Sequence, residues 1–114
     1  MTVIYHNPRC SKSRATLELL QQQSAEPDVV LYLQDTLSHE ALLSITEKMS
    51  CSITDIIRKG EAIYKELDLA NQSLSESQMI DIVVQHPILL ERPIVVNGDR
   101  AAIGRPPENV LSIL

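Results

Sequence analysis

The feature of this 114-residue chain that most constrains its fold is the order of its first three segments. TVIY (residues 2–5), a short β-branched and aromatic run, gives way to the polar loop HNPRC, then to a helical run over residues 11 to about 23, and then, past Pro27, to the apolar DVVLYL. Two strands separated by so long a crossover cannot close a hairpin; they pair in parallel with a right-handed crossover, so the chain opens as βαβ. Within the helix, Ala15, Leu19, Leu20 and Thr16 share a face. DVVLYL, apolar almost throughout, is expected to be a buried strand.

Helical signals then accumulate. Ser38, with Glu40 and Ala41, opens a helix running to about residue 49; residues 52–59 form a shorter one, with Arg58 in its last turn and Gly60 at its C′ position; residues 61–67 form a third. SLSESQMIDIVVQHP, with Ser75 as cap and Pro87 just past its end, is a fourth. PIVV is the next strand, and Asn97-Gly98 is a strong hairpin signal pairing it with RAAIG. RPPENVLSIL starts a last helix with proline in its first turn. The expected fold is α/β: βαβ, a helical insertion between strands 2 and 3, then ββα, as one domain over residues 1–114.

Composition narrows the function. A net charge of −5 argues against a general nucleic-acid binder, which needs a basic face, though a local basic pocket is compatible with it. The longest apolar stretch, VVLYL, falls far short of the roughly 20 residues that span a bilayer, and Met1-Thr2-Val3 offers no charged signal-peptide start, so a cytoplasmic protein away from membranes is expected; a monomer is expected as well. Cys10 and Cys51 do not make a disulfide framework and are expected to be free thiols. His6, His39 and His86 show no metal-binding spacing, so no metal site is expected, and three glycines cannot build a phosphate-cradling loop. His39 and His86, at helix ends, read as solvated.

Cys10 is the residue with chemistry. It stands where strand gives way to helix and is flanked by Arg9, Lys12 and Arg14. Free N–H groups at a helix start, together with cations, favour a thiolate. Ser13 occupies the place of the second cysteine in a CxxC pair, so an intermediate on Cys10 has no neighbouring thiol and must be resolved from outside. Cys51, in MSCSIT, has no adjacent cation and reads as an inert, partly buried thiol. His6 either helps hold the thiolate or caps the strand end; Asn7 shares its loop, and Ser11 reads as a capping hydroxyl as readily as a substrate contact. Thr16 stands where a CxxxxxR phosphatase would carry its arginine, so that reading fails.

The stretches YHNPRCSKSR, IIRKGEAIYKELDL, HPILLERPIVV and IGRPPENVL together resemble the glutathione- and glutaredoxin-coupled arsenate reductases, a likeness covering nearly the whole chain. The resemblance implies a thioredoxin-like fold, a nucleophilic Cys10, and Arg58, Arg92 and Arg105 lining an oxyanion site, with Arg14 adding charge. Pro93 is implied to be cis and to lie against the cysteine. Arsenate or a similar oxyanion is the implied substrate, glutathione the co-substrate with no bound cofactor, and glutaredoxin the protein partner. The sequence departs from the family at Ser11 and Lys12, which replace glycine and threonine and make the loop stiffer and more basic. Two alternatives remain at this point: a redox-sensing, RNA-polymerase-binding regulator of the same superfamily, whose usual CxxC is absent here, and a thiol oxidoreductase paralogue acting on another substrate.

Overall fold

In the structure, a computed structural model describing residues 2–23, 25–35 and 37–114, four strands form one mixed sheet in the order β2-β1-β3-β4 among the described residues. Strand β1 (Thr2–Tyr5) pairs in parallel with β2 (Asp28–Val30) and antiparallel with β3 (Ile94–Asn97), placing Ile4 opposite Val95. β3 continues antiparallel into β4 (Arg100–Ile103), with Asn97 opposite Arg100. The parallel opening and the C-terminal hairpin follow the order expected from the sequence. The chain divides into two compact units, Met1–Asp35 with Arg92–Leu114, and Thr36–Glu91.

The first unit carries the sheet and helix α1 (Ser11–Gln22). Its core gathers Ile4, Leu20, Val95, Val110 and Ile113, with Leu17 and Leu19 packed alongside. Fully burying one such side chain contributes roughly 1.5–3 kcal/mol. The inward line of α1 is Ser13, Thr16 and Leu20, whereas Ala15, expected on that face, is exposed: steps of three and four residues keep 13, 16 and 20 in register, and position 15 is turned off the line.

Three other expectations in this unit are corrected. DVVLYL is not a long buried strand. β2 stops after three residues at the sheet edge with Val29 47% exposed, and the chain then turns, Gln34 and Asp35 both donating their amides to the Leu31 carbonyl. The apolarity beyond β2 serves the turn, which buries Tyr32 completely. The hairpin loop is Gly98-Asp99 rather than Asn97-Gly98; Gly98 takes φ 63°, the left-handed value that glycine accepts without strain. The C-terminal segment is a 3-10 helix (Pro107–Ile113), because Pro106 and Pro107 supply no N–H and its first amide bond, Asn109 to the Pro106 carbonyl, spans three residues.

Gly104 sits where no side chain fits. A Cβ there would lie 2.9 Å from both Pro93 Cγ and Thr16 Cγ2, and nearer still to Thr16 Oγ1. The contact is fastened by the Gly104 amide donating to the Pro93 carbonyl (2.9 Å) and by Thr16 Oγ1 donating to the Lys12 (2.8 Å) and Gly104 (3.3 Å) carbonyls. Gly104→Ala must separate α1 from the segment that carries Arg105, and is expected to cost about 1–3 kcal/mol in denaturant unfolding. An unchanged unfolding midpoint would show that the three segments move apart freely.

The second unit holds α2 (His39–Met49), α3 (Ala62–Glu66) and α4 (Glu76–Gln85), with 3-10 turns at Ile53–Ile56, Leu69–Asn71 and Pro87–Leu89. Ser38 caps α2 by accepting the Ala41 amide at 3.0 Å, and Ser75 with Gln78 forms a reciprocal capping box on α4. The helix expected over 52–59 is corrected to the turn Ile53–Ile56, after which Ile57 bridges to Leu90 in extended conformation and Arg58 donates its amide to the Leu89 carbonyl at 2.7 Å. Arg58 therefore ends no helix. His39, expected to be solvated, is partly exposed and makes a surface bond from α2 to Asp81 of α4 at 2.7 Å. Among the described residues no helix is long and apolar enough to cross a membrane.

Candidate active site

Cys10 is the N-cap of α1, its backbone extended at φ −91° and ψ 123°, so the chain turns into the helix at the sulfur-bearing residue itself. The loop before it is drawn tight by local bonds. The Asn7 carbonyl accepts the Cys10 amide (3.0 Å), the Asn7 side-chain oxygen accepts the Arg9 amide (3.0 Å), and the Cys10 carbonyl takes the first helical bond, from the Arg14 amide (3.0 Å). The thiol makes no conventional cap hydrogen bond, yet the Ser13 and Lys12 amides face the sulfur as polarised donors.

Burial by itself pushes the Cys10 thiol up. The Ser13 amide, the Arg92 guanidinium, the Lys12 amide and the Arg92 charge together outweigh it, and the net result lies below the ordinary value of 9.0. Lys12 thus contributes through its amide. Arg14, read from the sequence as adding positive charge near the thiolate, donates from Nη1 to the Pro8 carbonyl at 2.9 Å and braces the loop.

Arg92 and Arg105 approach the sulfur from the two arginine–proline steps, both of which are cis. Arg105 Nη1 lies 3.8 Å from Cys10 Sγ and 3.3 Å from the Arg92 carbonyl. Arg92 Nε and Nη1 are buried and find no hydrogen-bond partner among the described residues. A half-buried guanidinium with two buried, unpaired nitrogens beside a thiolate is a receptor for an anionic acceptor, since leaving such donors unmet costs about 1–3 kcal/mol each. Pro93 is buried, and its ring lies beside Gly104.

Arg58 belongs to the second unit, where two carboxylates engage it: Glu91 Oε1 accepts from Nη1 at 3.1 Å, and Glu61 Oε2 lies 3.5 Å from Nε. Its charge is answered there, although Nε, like the Arg92 donors, is buried without a hydrogen bond among the described residues.

His6 and Ser13 form a buried pair, Nδ1 to Oγ at 2.6 Å, and the Asn7 amide donates to the same hydroxyl at 3.0 Å. Burial, then the Arg14 charge, hold the imidazole below its ordinary 6.5, so it is neutral at pH 7 and bonds Ser13, which fits Nδ1 as acceptor and the ring proton on Nε2. Its role in this geometry is to fasten the loop to the first turn of α1. Thr16 and Gly104, which lock that turn against the Arg105 segment, were missed from sequence; the available signal was a glycine directly before an Arg-Pro step in a chain with only three glycines.

Cys51 is opposite in character. Burial first, then Asp55 and Glu76, push its thiol up. At pH 7 iodoacetamide should therefore label Cys10 at least about tenfold faster than Cys51, the Cys10 rate holding as pH falls below 9.0 and dropping only at its lowered pKa, with millimolar sulfate slowing Cys10 selectively. Equal labelling by mass spectrometry, without protection by sulfate, would remove the activated thiolate.

The comparisons with known proteins converge on one family. A family model described as the ArsC family matches residues 5–113. An arsenate reductase of Haemophilus influenzae is 47% identical over 113 residues, covering 98% of this chain and 97% of that one. The Escherichia coli K12 protein YfgD, whose name states no activity, is 50% identical over 112 residues, covering 97% and 94%. Among solved structures, the arsenate reductase from Vibrio cholerae superposes with a TM-score of 0.96 at 45% identity, covering 99% of this chain and 97% of that one. The matched span contains the Cys10 loop and both arginine–proline steps, and this chain, a mixed α/β protein of thioredoxin-like fold, belongs to the ArsC family.

Proposed function

We propose that this protein is an arsenate reductase in which Cys10 is the nucleophile, Arg92 and Arg105 hold the oxyanion, and glutathione with glutaredoxin supplies the electrons. The observation that carries the reading is the pair of buried, unpaired Arg92 N–H groups beside a sulfur whose thiolate is stabilised. A tetrahedral oxyanion has the charge and the acceptor oxygens to answer those donors while bringing its central atom to Sγ. The relatives named as arsenate reductases support the choice of arsenic as that atom.

The chemistry balances with two external thiols. Cys10 Sγ displaces one arsenate oxygen, which leaves as water, and forms an As–S bond with no change of oxidation state. A first external thiol displaces a second oxygen, again as water. A second thiolate attacks that bound external sulfur, closing an RS–SR disulfide and leaving As(III) on Cys10. Hydrolysis of the Cys10–As bond consumes one water and releases arsenite. Overall, arsenate and two thiols give arsenite, one disulfide and one water.

Arg58 is ion-paired with Glu61 and Glu91, whereas Arg105 Nη1 lies 3.8 Å from the sulfur and Arg92 lowers its pKa, so Arg92 and Arg105 are the primary ligands of this scheme. The test is arsenate-dependent oxidation of glutathione in the presence of glutaredoxin, with phosphate as control. Turnover with arsenate alone supports the reading. A reactive Cys10 without arsenate turnover would shift it to a thiol oxidoreductase acting on another substrate.

A further inference from the structure

Five of the ten cationic side chains of this acidic chain, Arg9, Lys12, Arg14, Arg92 and Arg105, lie on the Cys10 loop, the first turn of α1 and the two arginine–proline steps. Arg92 is half-buried and Arg105 reaches the sulfur, which suits both to the oxyanion. The other three are exposed, on the loop and first helical turn that carry Cys10. Arg14 is fixed to the loop through the Pro8 carbonyl, and Arg9 and Lys12 make no ion pair among the described residues, although the chain carries 15 acidic residues. Residues 6–17 contain no carboxylate at all. Exposed cations normally collect nearby acids or stand dispersed, so three that flank one reactive cysteine without an ion pair among the described residues bias what approaches that sulfur.

The same loop fixes what must approach. Ser13 fills the position from which an internal thiol would act, and its hydroxyl is committed to His6 and Asn7. Cys51 is a poor nucleophile, its thiol pushed up. We propose that Arg9, Lys12 and Arg14 form a recognition rim for the carboxylates of a small anionic thiol, and so choose the reductant that resolves Cys10. The proposal rests on the resolution step of the function above and adds the residues that select the thiol. Lys12, where the resemblance puts threonine, then has a purpose: its exposed ammonium strengthens the rim.

The test contains no arsenic, so its failure is distinct from failure of the arsenate reading. In a Cys51→Ala background, Cys10 is converted to its pyridyl disulfide, and its reaction with a thiolate, RS⁻ displacing thiopyridone to leave Cys10–S–S–R, is followed by the colour of the released thiopyridone. Glutathione, with two carboxylates and one ammonium, is compared with neutral 2-mercaptoethanol and cationic cysteamine, each rate corrected for its own thiolate fraction. Ratios between thiols cancel any change in the Cys10 pKa. The unsubstituted rim should favour glutathione over cysteamine by about tenfold at low salt, and the preference should shrink as ionic strength rises through the range where the Debye length is about 10 Å or less. Arg9→Glu with Lys12→Glu should bring the ratio to unity or below. An equal ratio in both proteins, or no preference before substitution, overturns the rim. Discrimination that emerges only when the thiol is carried on an acidic protein such as glutaredoxin also overturns it, because the surface would then serve a protein partner.

Discussion

Cys10→Ser is expected to abolish arsenate-dependent glutathione oxidation, a loss of more than about a thousandfold, while Cys51→Ala leaves it nearly intact. The asymmetry follows from two environments within one chain. Cys10 caps a helix, faces two of its amides and has Arg92 and Arg105 beside the sulfur, so its thiolate is stabilised against the effect of burial. Cys51 has Asp55 and Glu76 in its surroundings, and both charges oppose ionisation. Serine at position 10 keeps the size and the helix start but has no accessible anion near neutral pH, so folding should persist while the first displacement stops. Circular dichroism on both variants checks the first point and coupled thiol oxidation the second. Comparable losses in the two variants, with folding retained, would make Cys51 a resolving thiol and replace the external-thiol mechanism with an internal one.

How far the sequence reveals this site depends on how local each interaction is. The Cys10 loop, the cap of α2 and the capping box of α4 are built from neighbours within a few residues, and their letters can be read directly. β1 and β3 are also legible, since each is a short β-rich run bounded by turn residues. β2 is not, because an apolar run looks alike whether its residues pair in a ladder or fold under a turn; the edge position that ends β2 at Val30 is a property of the sheet. Arg58 shows the same limit in electrostatic form. Its letter suggests a cation for an anionic substrate, and Glu91, which answers it, is 33 residues away and carries no local sign of the pairing. The His6–Ser13 bond lies between: seven residues link a strand end to a first helical turn, a span that places the two side chains together only once the loop has closed. The cis peptide at Arg105–Pro106 was not anticipated; a second Arg-Pro step looks ordinary in sequence.

Arg92→Lys separates a guanidinium that binds through geometry from one that supplies only charge. Lysine keeps the positive charge but replaces a planar fork of donors with a single ammonium on a flexible stem. Arg92 Nε and Nη1 are buried donors without a hydrogen-bond partner among the described residues, and an oxyanion bridging them gains two charge-assisted bonds that one ammonium cannot reproduce in the same directions. Losing one such contact should cost on the order of 1.5–3 kcal/mol, or roughly 10- to 150-fold in kcat/KM where the contact is made mainly in the transition state. Arg105→Lys should be milder, within about tenfold, because Arg105 is exposed and shares Nη1 between the Arg92 carbonyl and Sγ. A second readout distinguishes substrate binding from thiolate activation. Arg92 also lowers the Cys10 pKa, through hydrogen bonding and through charge, so a lysine that retains the charge should raise the pH at which alkylation begins only modestly while arsenate turnover falls steeply. Parallel losses in alkylation and turnover would mean that Arg92 serves the thiolate alone. Wild-type kinetics in Arg92→Lys would show that its buried N–H groups never meet an oxyanion, and the anion would then rest on Arg105 at the sulfur.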